Sequence, residues 1–178
     1  MTINYQLTNS DFLEYQLYTS SKSKSHKKKR LRSRYIVFIL YTLLGLYFAY
    51  KNDNNRMGGI MASFGLLWFA FYPMYAKWNY KRHFKKHVEE NYKNRINKPV
   101  EIDFDENSAN AKDFASESKI NATELKELIE TQNHFFLKLT TDLSLIIPKN
   151  SIENKVKFKN RVTELGAEYV DELNWRWK

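Results

Sequence analysis

Two histidines and a glutamate stand at a spacing that could bind a metal ion. His83 and His87 (HFKKH) are four residues apart and Glu90 follows three residues later, so all three would share one face of a helix. Two imidazoles and one carboxylate are donors that zinc accepts. The surrounding charge is positive, which disfavours a cation. The neighbouring cations are Lys81, Arg82, Lys85 and Lys86. We therefore expect a basic helix at a membrane interface here, and no metal.

A second motif, Asp103-Asp105-Asn107, begins like a calcium-binding loop. Such a loop needs glycine at its sixth position and a bidentate glutamate at its twelfth. Ser108 and Phe114 stand at those positions. The pattern instead predicts a strand with a solvated acidic face, followed by a turn.

Other signatures of catalysis are absent from the sequence. It has no cysteine and only five glycines, and it contains neither a glycine-rich phosphate loop nor a nucleophile elbow. The lack of cysteine excludes disulfides, thiolate metal sites and thiol nucleophiles, and it suits a reducing compartment. We expect a protein that is not an enzyme and that needs no cofactor.

Two uncharged runs indicate membrane-spanning helices. Residues 35–50 would cover about 24 Å as a helix, and the run MGGIMASFGLLWFAFYPMYA at 57–76 would cover about 30 Å, the thickness of the hydrocarbon core. The short connection at 51–56 allows only an antiparallel hairpin. A signal peptide would begin nearer the N-terminus and end at small residues. A buried helix pair in a soluble protein would need more apolar partner surface than the polar remainder of the chain offers.

The formal net charge of +9 is concentrated beside these two runs, whereas the connecting loop has only Lys51 and Arg56, offset by Asp53. The positive-inside rule then puts both termini in the cytoplasm. A nucleic-acid-binding protein would carry its charge on a recognition helix or sheet, so we expect no nucleic-acid partner. We expect the basic flanks to contact the membrane surface or anionic lipid headgroups. The residues concerned are Lys27, Lys28, Lys29, Arg30, Arg32, Arg34, Lys81, Arg82, Lys85 and Lys86.

Small residues recur four apart in both runs and let helix backbones approach closely in lipid. The helix-packing candidates are Gly45, Ala49, Gly58 and Ala62, with Gly59 and Ser63 as a second pair. They serve either packing within the hairpin or an oligomer contact. A covered Gly58/Ala62 face favours a simple anchor, and an exposed one favours partner spans.

Proline in a helix leaves the carbonyl four residues earlier without its donor. Pro73 should therefore free the carbonyl of Phe69 and bend the second helix near its cytoplasmic end. The absence of ionisable residues inside either run argues against a proton relay.

The remaining sequence predicts a small α+β domain. Val100, Ile102 and Phe104 alternate with acids as in a half-buried strand, residues 134–140 and 143–148 are firmer strands, and 125–131 is ambiguous between strand and helix.

A final helix should follow, capped by Asn150 or Ser151, with apolar positions that recur at helical spacing. Those positions are Val162, Leu165, Tyr169 and Leu173.

At the other terminus, Ile3, Tyr5 and Leu7 alternate as in a strand, which we expect to join the C-terminal sheet. The full division is 1–9 for this strand, 10–34 for a helix and polybasic flank, 35–50 for the first span, 51–56 for an external loop, 57–78 for the second span, 79–98 for a basic exit helix and 99–178 for the cytoplasmic domain.

This order of parts resembles the YcxB-like family of bacterial membrane proteins. The similarity runs from the lead YQLTNSDFLEYQLY through the two spans to ELKELIETQNHFFLKLTTDLSLIIPKNSI, and residues 124–152 are its most specific part. It implies a two-helix transmembrane hairpin joined to a cytoplasmic domain of pleckstrin-homology-like type, an antiparallel sheet closed by one C-terminal helix. It implies no reaction and no catalytic residues.

Two classes of function follow. The first is a binding or scaffold module anchored in a bacterial inner membrane, with both termini cytoplasmic. The alternative is an immunity or resistance factor, or an accessory subunit of a membrane transporter or channel. The partners would be the membrane, anionic lipid headgroups, and an unknown protein or a second copy of the chain.

Overall fold

The computed structural model describes residues 1–52 and 54–177 and divides the chain into two units. The first, which we call the β-domain, comprises Met1–Gln16 and Phe84–Arg176. The second, the helical unit, comprises Leu17–His83 together with Trp177. Asp53 of the expected external loop and Lys178 at the end of the expected C-terminal domain lie outside the described residues.

The described residues form four α-helices, with bounds α1 Asn9–Lys22, α2 Lys24–Lys51, α3 Asn55–Asn91 and α4 Lys155–Glu164. Ser23 separates α1 from α2 and caps α2, because its Oγ accepts a hydrogen bond from the His26 amide. Asn54 begins α3 in the same way, accepting from the Met57 amide at 3.1 Å. The connection between the two long helices is therefore shorter than the expected 51–56.

The exit helix was expected to continue to Lys98, and this was wrong, since α3 ends at Asn91. The Asn91 side chain turns back and donates to the carbonyl of His87 at 2.9 Å. The chain then makes turns through Asn97, whose φ of 56° is left-handed and incompatible with a continuing α-helix.

In the part of the chain that the structure describes, eight strands form two four-stranded sheets. Their bounds are β1 Thr2–Gln6, β2 Pro99–Phe104, β3 Ser108–Lys112, β4 Glu117–Asn121, β5 Leu125–Glu130, β6 His134–Leu139, β7 Ser144–Pro148 and β8 Glu168–Asp171. One sheet has the order β1-β2-β3-β4 and the other β7-β6-β5-β8. Neighbours are antiparallel except β5 and β8, which run parallel.

The N-terminal strand lies in the first sheet. β1 pairs with β2 from Thr2 opposite Asp103 to Gln6 opposite Pro99. Its alternate side chains Ile3 and Tyr5 are buried, and the Met1 ammonium donates to the Phe104 carbonyl at 3.0 Å. A segment more than ninety residues away in sequence thus covers the edge of β2.

Helix α4 closes one end of the β-domain. Phe158 of α4 is fully buried and packs its ring against Phe104 at the end of β2 and Phe135 near the start of β6, with centroid distances of 5.6 and 5.1 Å. These aromatic contacts form the centre of the core.

The expected cap and length of the last helix were both wrong. Asn154, rather than Asn150 or Ser151, caps α4 by accepting from the Lys157 amide at 2.9 Å. The helix ends at Glu164 because Gly166 adopts a φ of 107°, which stops an α-helix. Tyr169, expected on the helix, lies in β8 and donates its hydroxyl to Glu130 at 2.7 Å.

Candidate binding site

A cavity of about 480 Å³ opens in the β-domain at the end away from α4. The cavity lies at one end of the strands. Its lining comes from the ends of β1, β3 and β6 and from the beginnings of β2, β4 and β7, whereas α4 packs on the opposite ends of the strands. The walls are largely apolar. They include Leu7, Phe12, Val100, Ile120, Leu145 and Ile146. A cavity with such walls suits an apolar group of a partner.

Two hairpin tips stand beside the cavity and expose large apolar side chains. Phe114, between β3 and β4, is half exposed, and Leu143, between β6 and β7, is two-thirds exposed. Both residues also line the cavity. Exposed apolar side chains grouped around an apolar cavity are typical of a binding surface.

Most charges near the cavity have an opposite charge close by, although Lys98, which also lines it, makes no ion pair among the described residues. Lys112 lies 4.0 Å from Glu117, and Lys138 lies 3.4 Å from Asp142. Asp113 is the third carboxylate. Burial acts to raise the pKa of Asp113, but the amides of its own turn and the charge of Arg95 lower it overall. The rim therefore carries little net charge for a phosphate to bind.

A charged cluster outside the cavity joins α1 to β6. His134 is buried, its Nε2 lies 2.8 Å from Asp11 Oδ1, and its Nδ1 lies 3.2 Å from Glu14 Oε1. The second contact lacks hydrogen-bond geometry at Nδ1, so it is chiefly electrostatic. Burial of the ring acts to lower the pKa of His134, but the two carboxylates outweigh it and raise the pKa to about 9. The ring is thus an imidazolium at neutral pH.

The sequence did not single out this cluster. The sequence predicts Asp11 and Glu14 to be ordinary acids in the first turn of a helix, and it predicts His134 to be one residue of a strand. The available signal was their spacing of three residues, which places both carboxylates on one helix face. Nothing in the sequence indicated that a histidine 120 residues later would lie between them.

The predicted lipid-contact residues differ in exposure and in their contacts. Lys27, Lys28, Lys29 and Arg32 are exposed, and Arg30 and Arg34 are partly buried. Arg34 Nε donates to the Phe69 carbonyl at 3.0 Å. The carbonyl that Pro73 deprives of its helical donor is thereby bonded.

On α3, the Arg82 guanidinium lies over the Trp78 ring. Lys85 and Lys86 of the β-domain reach Glu89 and Glu90 at 3.9 and 3.6 Å. These exposed pairs are ordinary helix-surface contacts.

The small residues meet where α2 and α3 cross. A Cβ added to Gly58 would lie 2.8 Å from the Gly45 carbonyl oxygen and 3.1 Å from the Ala49 Cβ, and one added to Gly45 would lie 3.7 Å from the Ala62 Cβ. Gly59, in contrast, faces open space. The Gly58 face is therefore covered by the other helix of the hairpin.

The candidate metal ligands are not assembled. The His87 Nδ1 lies 3.0 Å from the side-chain nitrogen of Asn91, and Glu90 is paired with Lys86. Among residues 1–52 and 54–177, no group of three or more histidine or acidic side chains could hold a metal ion. At Asp103 the carboxylate accepts from Thr2 at 2.7 Å, as part of the strand pairing.

The central part of the β-domain matches a known protein family. A model of the YcxB-like protein family matches residues 104–160, from the end of β2 into α4. This stretch of the chain is similar to the YcxB-like family. The match covers about a third of the chain and leaves out β1 and both long helices. Neither a curated protein nor a solved structure matches the chain.

Proposed function

We propose that this protein is a membrane-anchored binding module. In this proposal α2 and α3 cross a bacterial inner membrane, and the β-domain, of pleckstrin-homology-like type, binds a partner protein on the cytoplasmic side. The observation that carries the proposal is the exposure of the two long helices. Both are long and apolar enough to span a membrane, yet only 6% and 17% of their most apolar windows are buried. Water would not tolerate so much exposed apolar helix, whereas lipid does.

The packing of the hairpin supports an anchor rather than a subunit of a larger membrane assembly. The close approach of Gly45 and Gly58 is used between the two helices of the hairpin itself. A subunit that packs through the Gly58/Ala62 face would instead leave that face open for a partner span.

The charge distribution supports cytoplasmic termini. Eight cations precede the first span between residues 22 and 34, and the connecting loop carries two. Short basic flanks are retained in the cytoplasm during insertion.

The cavity supports an apolar protein ligand for the β-domain. Its walls are largely apolar, Phe114 and Leu143 are exposed beside it, and two of the lysines around it pair with carboxylates. An apolar segment of a partner protein fits these properties better than a phosphorylated headgroup.

Anchorage and orientation can be tested together, because the chain has no native cysteine. Asn52→Cys and Glu153→Cys each introduce one exposed thiol. We expect the protein to resist alkaline carbonate extraction, Asn52→Cys to react with an impermeant maleimide in spheroplasts, and Glu153→Cys to react only after lysis. Release by carbonate would refute the anchor, and labelling of Glu153→Cys in intact spheroplasts would refute the orientation.

The binding role can be tested by site-specific photocrosslinking in native membranes. Crosslinkers at Phe114 and Leu143 should give a common adduct, and Val156, an exposed apolar residue of α4, is the matched control. Ser118→Trp, which fills the cavity, should remove the adduct. Equal adducts at all three positions, or none at Phe114 and Leu143, would exclude the cavity as the binding site.

A further inference from the structure

A second cavity, of about 360 Å³, lies within the helical unit beside Pro73. We call it the basic cleft. Half of its lining is cationic and half is apolar or aromatic. The cations are Lys27, Arg30, Arg34 and Lys77, and the other residues are Leu31, Tyr72, Pro73 and Ala76.

Among residues 1–52 and 54–177, the cations of the basic cleft have no carboxylate partner. Between residues 17 and 83 the sequence contains a single acid, Asp53, nineteen positions from Arg34.

Arg34 is held in place by α3. It donates through Nε to the Phe69 carbonyl, and its guanidinium carbon lies 3.9 Å from the centroid of the Phe69 ring. The remaining donors of the guanidinium fork are left for another acceptor.

Arg30 is held by aromatic rings. Its guanidinium carbon lies 5.6 Å from the ring centroid of Tyr80 and 5.3 Å from that of Trp177. Trp177 is itself fixed by a hydrogen bond from Nε1 to the Lys77 carbonyl at 3.2 Å. One nitrogen of Arg30, Nη1, is buried and has no hydrogen-bond partner among the described residues. A buried, unpaired donor on a cation is costly and calls for an acceptor from outside the chain.

We infer that the basic cleft binds an anionic phospholipid, with the phosphate between Arg30 and Arg34 and an acyl chain against Pro73 and Ala76. Arginine forks match phosphate oxygens, and basic pockets between membrane helices are suited to anionic lipid headgroups. The apolar half of the cleft continues into the uncharged run that begins at residue 35 and would accommodate the acyl chain. This inference rests on the proposed membrane anchorage and adds a defined lipid site to it.

The basic flank offers a closely matched pair of variants. Lys27 lines the cleft and Lys28, the next residue, does not, while both are exposed lysines with no contact that folding depends on. Arg34→Gln and Arg32→Gln form a second pair with the same change in charge. A general attraction of the flank to an anionic surface would treat the members of each pair alike.

The experiment uses the purified full-length protein in a neutral detergent, titrated with phosphatidylglycerol, phosphatidylcholine or inorganic phosphate. Binding is followed by native mass spectrometry. We expect retention of one phosphatidylglycerol, an apparent Kd raised about tenfold or more by Lys27→Gln and Arg34→Gln, and a change under about twofold for Lys28→Gln and Arg32→Gln.

Equal weakening by all four variants, or equal retention of phosphatidylcholine, would refute a defined site. Full occupancy by inorganic phosphate in competition with lipid would refute a lipid ligand. Carbonate extraction of the same variants separates the two proposals, because loss of the lipid site leaves the protein in the membrane.

Discussion

The β-domain and the helical unit differ in the groups that contact their cations. In the β-domain the buried His134 lies beside Asp11 and Glu14, and the partly buried Lys149 lies 2.6 Å from Glu130. In the helical unit Arg30 and Arg34 instead contact aromatic rings and a backbone carbonyl. A domain in water must neutralise buried charge with its own residues. A hairpin in a membrane has anionic headgroups available for that purpose.

The two units also differ in how they pack. Large side chains such as Phe135 and Phe158 fill the β-domain core, whereas the hairpin meets at Gly45 and Gly58. Water drives apolar side chains together in the first case. In the proposed membrane placement, lipid supplies no such drive, and close backbone contact would favour the hairpin instead.

The largest expected effect is removal of residues 1–7. Ile3, Tyr5 and Leu7 are buried, and at about 25 cal/mol per Å² their burial contributes several kcal/mol. Deletion should unfold the β-domain or make it aggregate through β2, as measured by pulse proteolysis of the full-length protein in urea. The double variant Asn4→Ala and Gln6→Ala, on the exposed side of β1, is the control and should cost under about 0.5 kcal/mol. An unchanged midpoint for the deletion would contradict this account.

Next in size is His134→Gln. The change leaves two partly buried carboxylates facing one another without a cation, which costs about 3–5 kcal/mol in the same proteolysis assay. Asn133→Ala, which removes a single hydrogen bond to Glu14, should cost about 1 kcal/mol. Similar losses for the two variants would show that His134 is not an imidazolium.

The pH dependence of β-domain stability tests the same cluster. The folded pKa of His134 is about 9, above its ordinary 6.5, so its contribution is complete below about pH 6.5 and is lost as pH rises through 9. Burial acts to raise the pKa values of Asp11 and Glu14, but His134 and neighbouring hydrogen-bond donors lower them overall. The contribution of these carboxylates to stability is therefore lost in acid.

We therefore expect the greatest contribution from this cluster between about pH 5 and 6.5, and a decline of a few kcal/mol by pH 10. His134→Gln should lack the alkaline decline. A wild-type protein whose stability is flat from pH 6.5 to 10 would contradict the assignment.

In the helical unit the corresponding test is Gly58→Ala against Gly59→Ala. The added methyl at 58 meets the Gly45 carbonyl at 2.8 Å, and the one at 59 meets nothing within 4 Å. We expect Gly58→Ala to cost about 1–3 kcal/mol by SDS unfolding and Gly59→Ala to be neutral or slightly stabilising. The reverse order would mean that the Gly59 face carries the helix contact.

The smallest effect concerns Arg34 and Pro73. Arg34→Gln should cost about 1 kcal/mol in SDS unfolding in the Pro73 background, and much less in Pro73→Ala, which restores the helical donor to Phe69. A coupling near zero in this double-mutant cycle would show that the two residues act independently.

Several features were readable from local pattern. The uncharged runs match two long helices, and the alternation of Val100, Ile102 and Phe104 matches β2. Pro73 predicted that the Phe69 carbonyl would lack its helical donor, because a helical hydrogen bond involves only residues four apart. The segment at 125–131, whose sequence was ambiguous between helix and strand, forms β5. Its pairing with β6 and β8 decided between the two, and the local pattern did not.

The last helix shows where local pattern fails. Helical spacing continued through Leu165 and Tyr169, but Gly166 ended the helix and the following residues paired with β5. These residues could pair with the open edge of β5, and the spacing of apolar residues along the chain does not indicate that edge.

The sequence by itself determined that two apolar helices form a hairpin, that positive charge flanks them and that strands follow, because each depends on composition or on a short period. Only the tertiary structure decided that His134 lies between Asp11 and Glu14, that strand ends enclose an apolar cavity and that Arg30 is held by Tyr80 and Trp177. These arrangements join residues roughly 50 to 150 positions apart. Their geometry is set by how sheets and helices pack, and no local pattern encodes that distance.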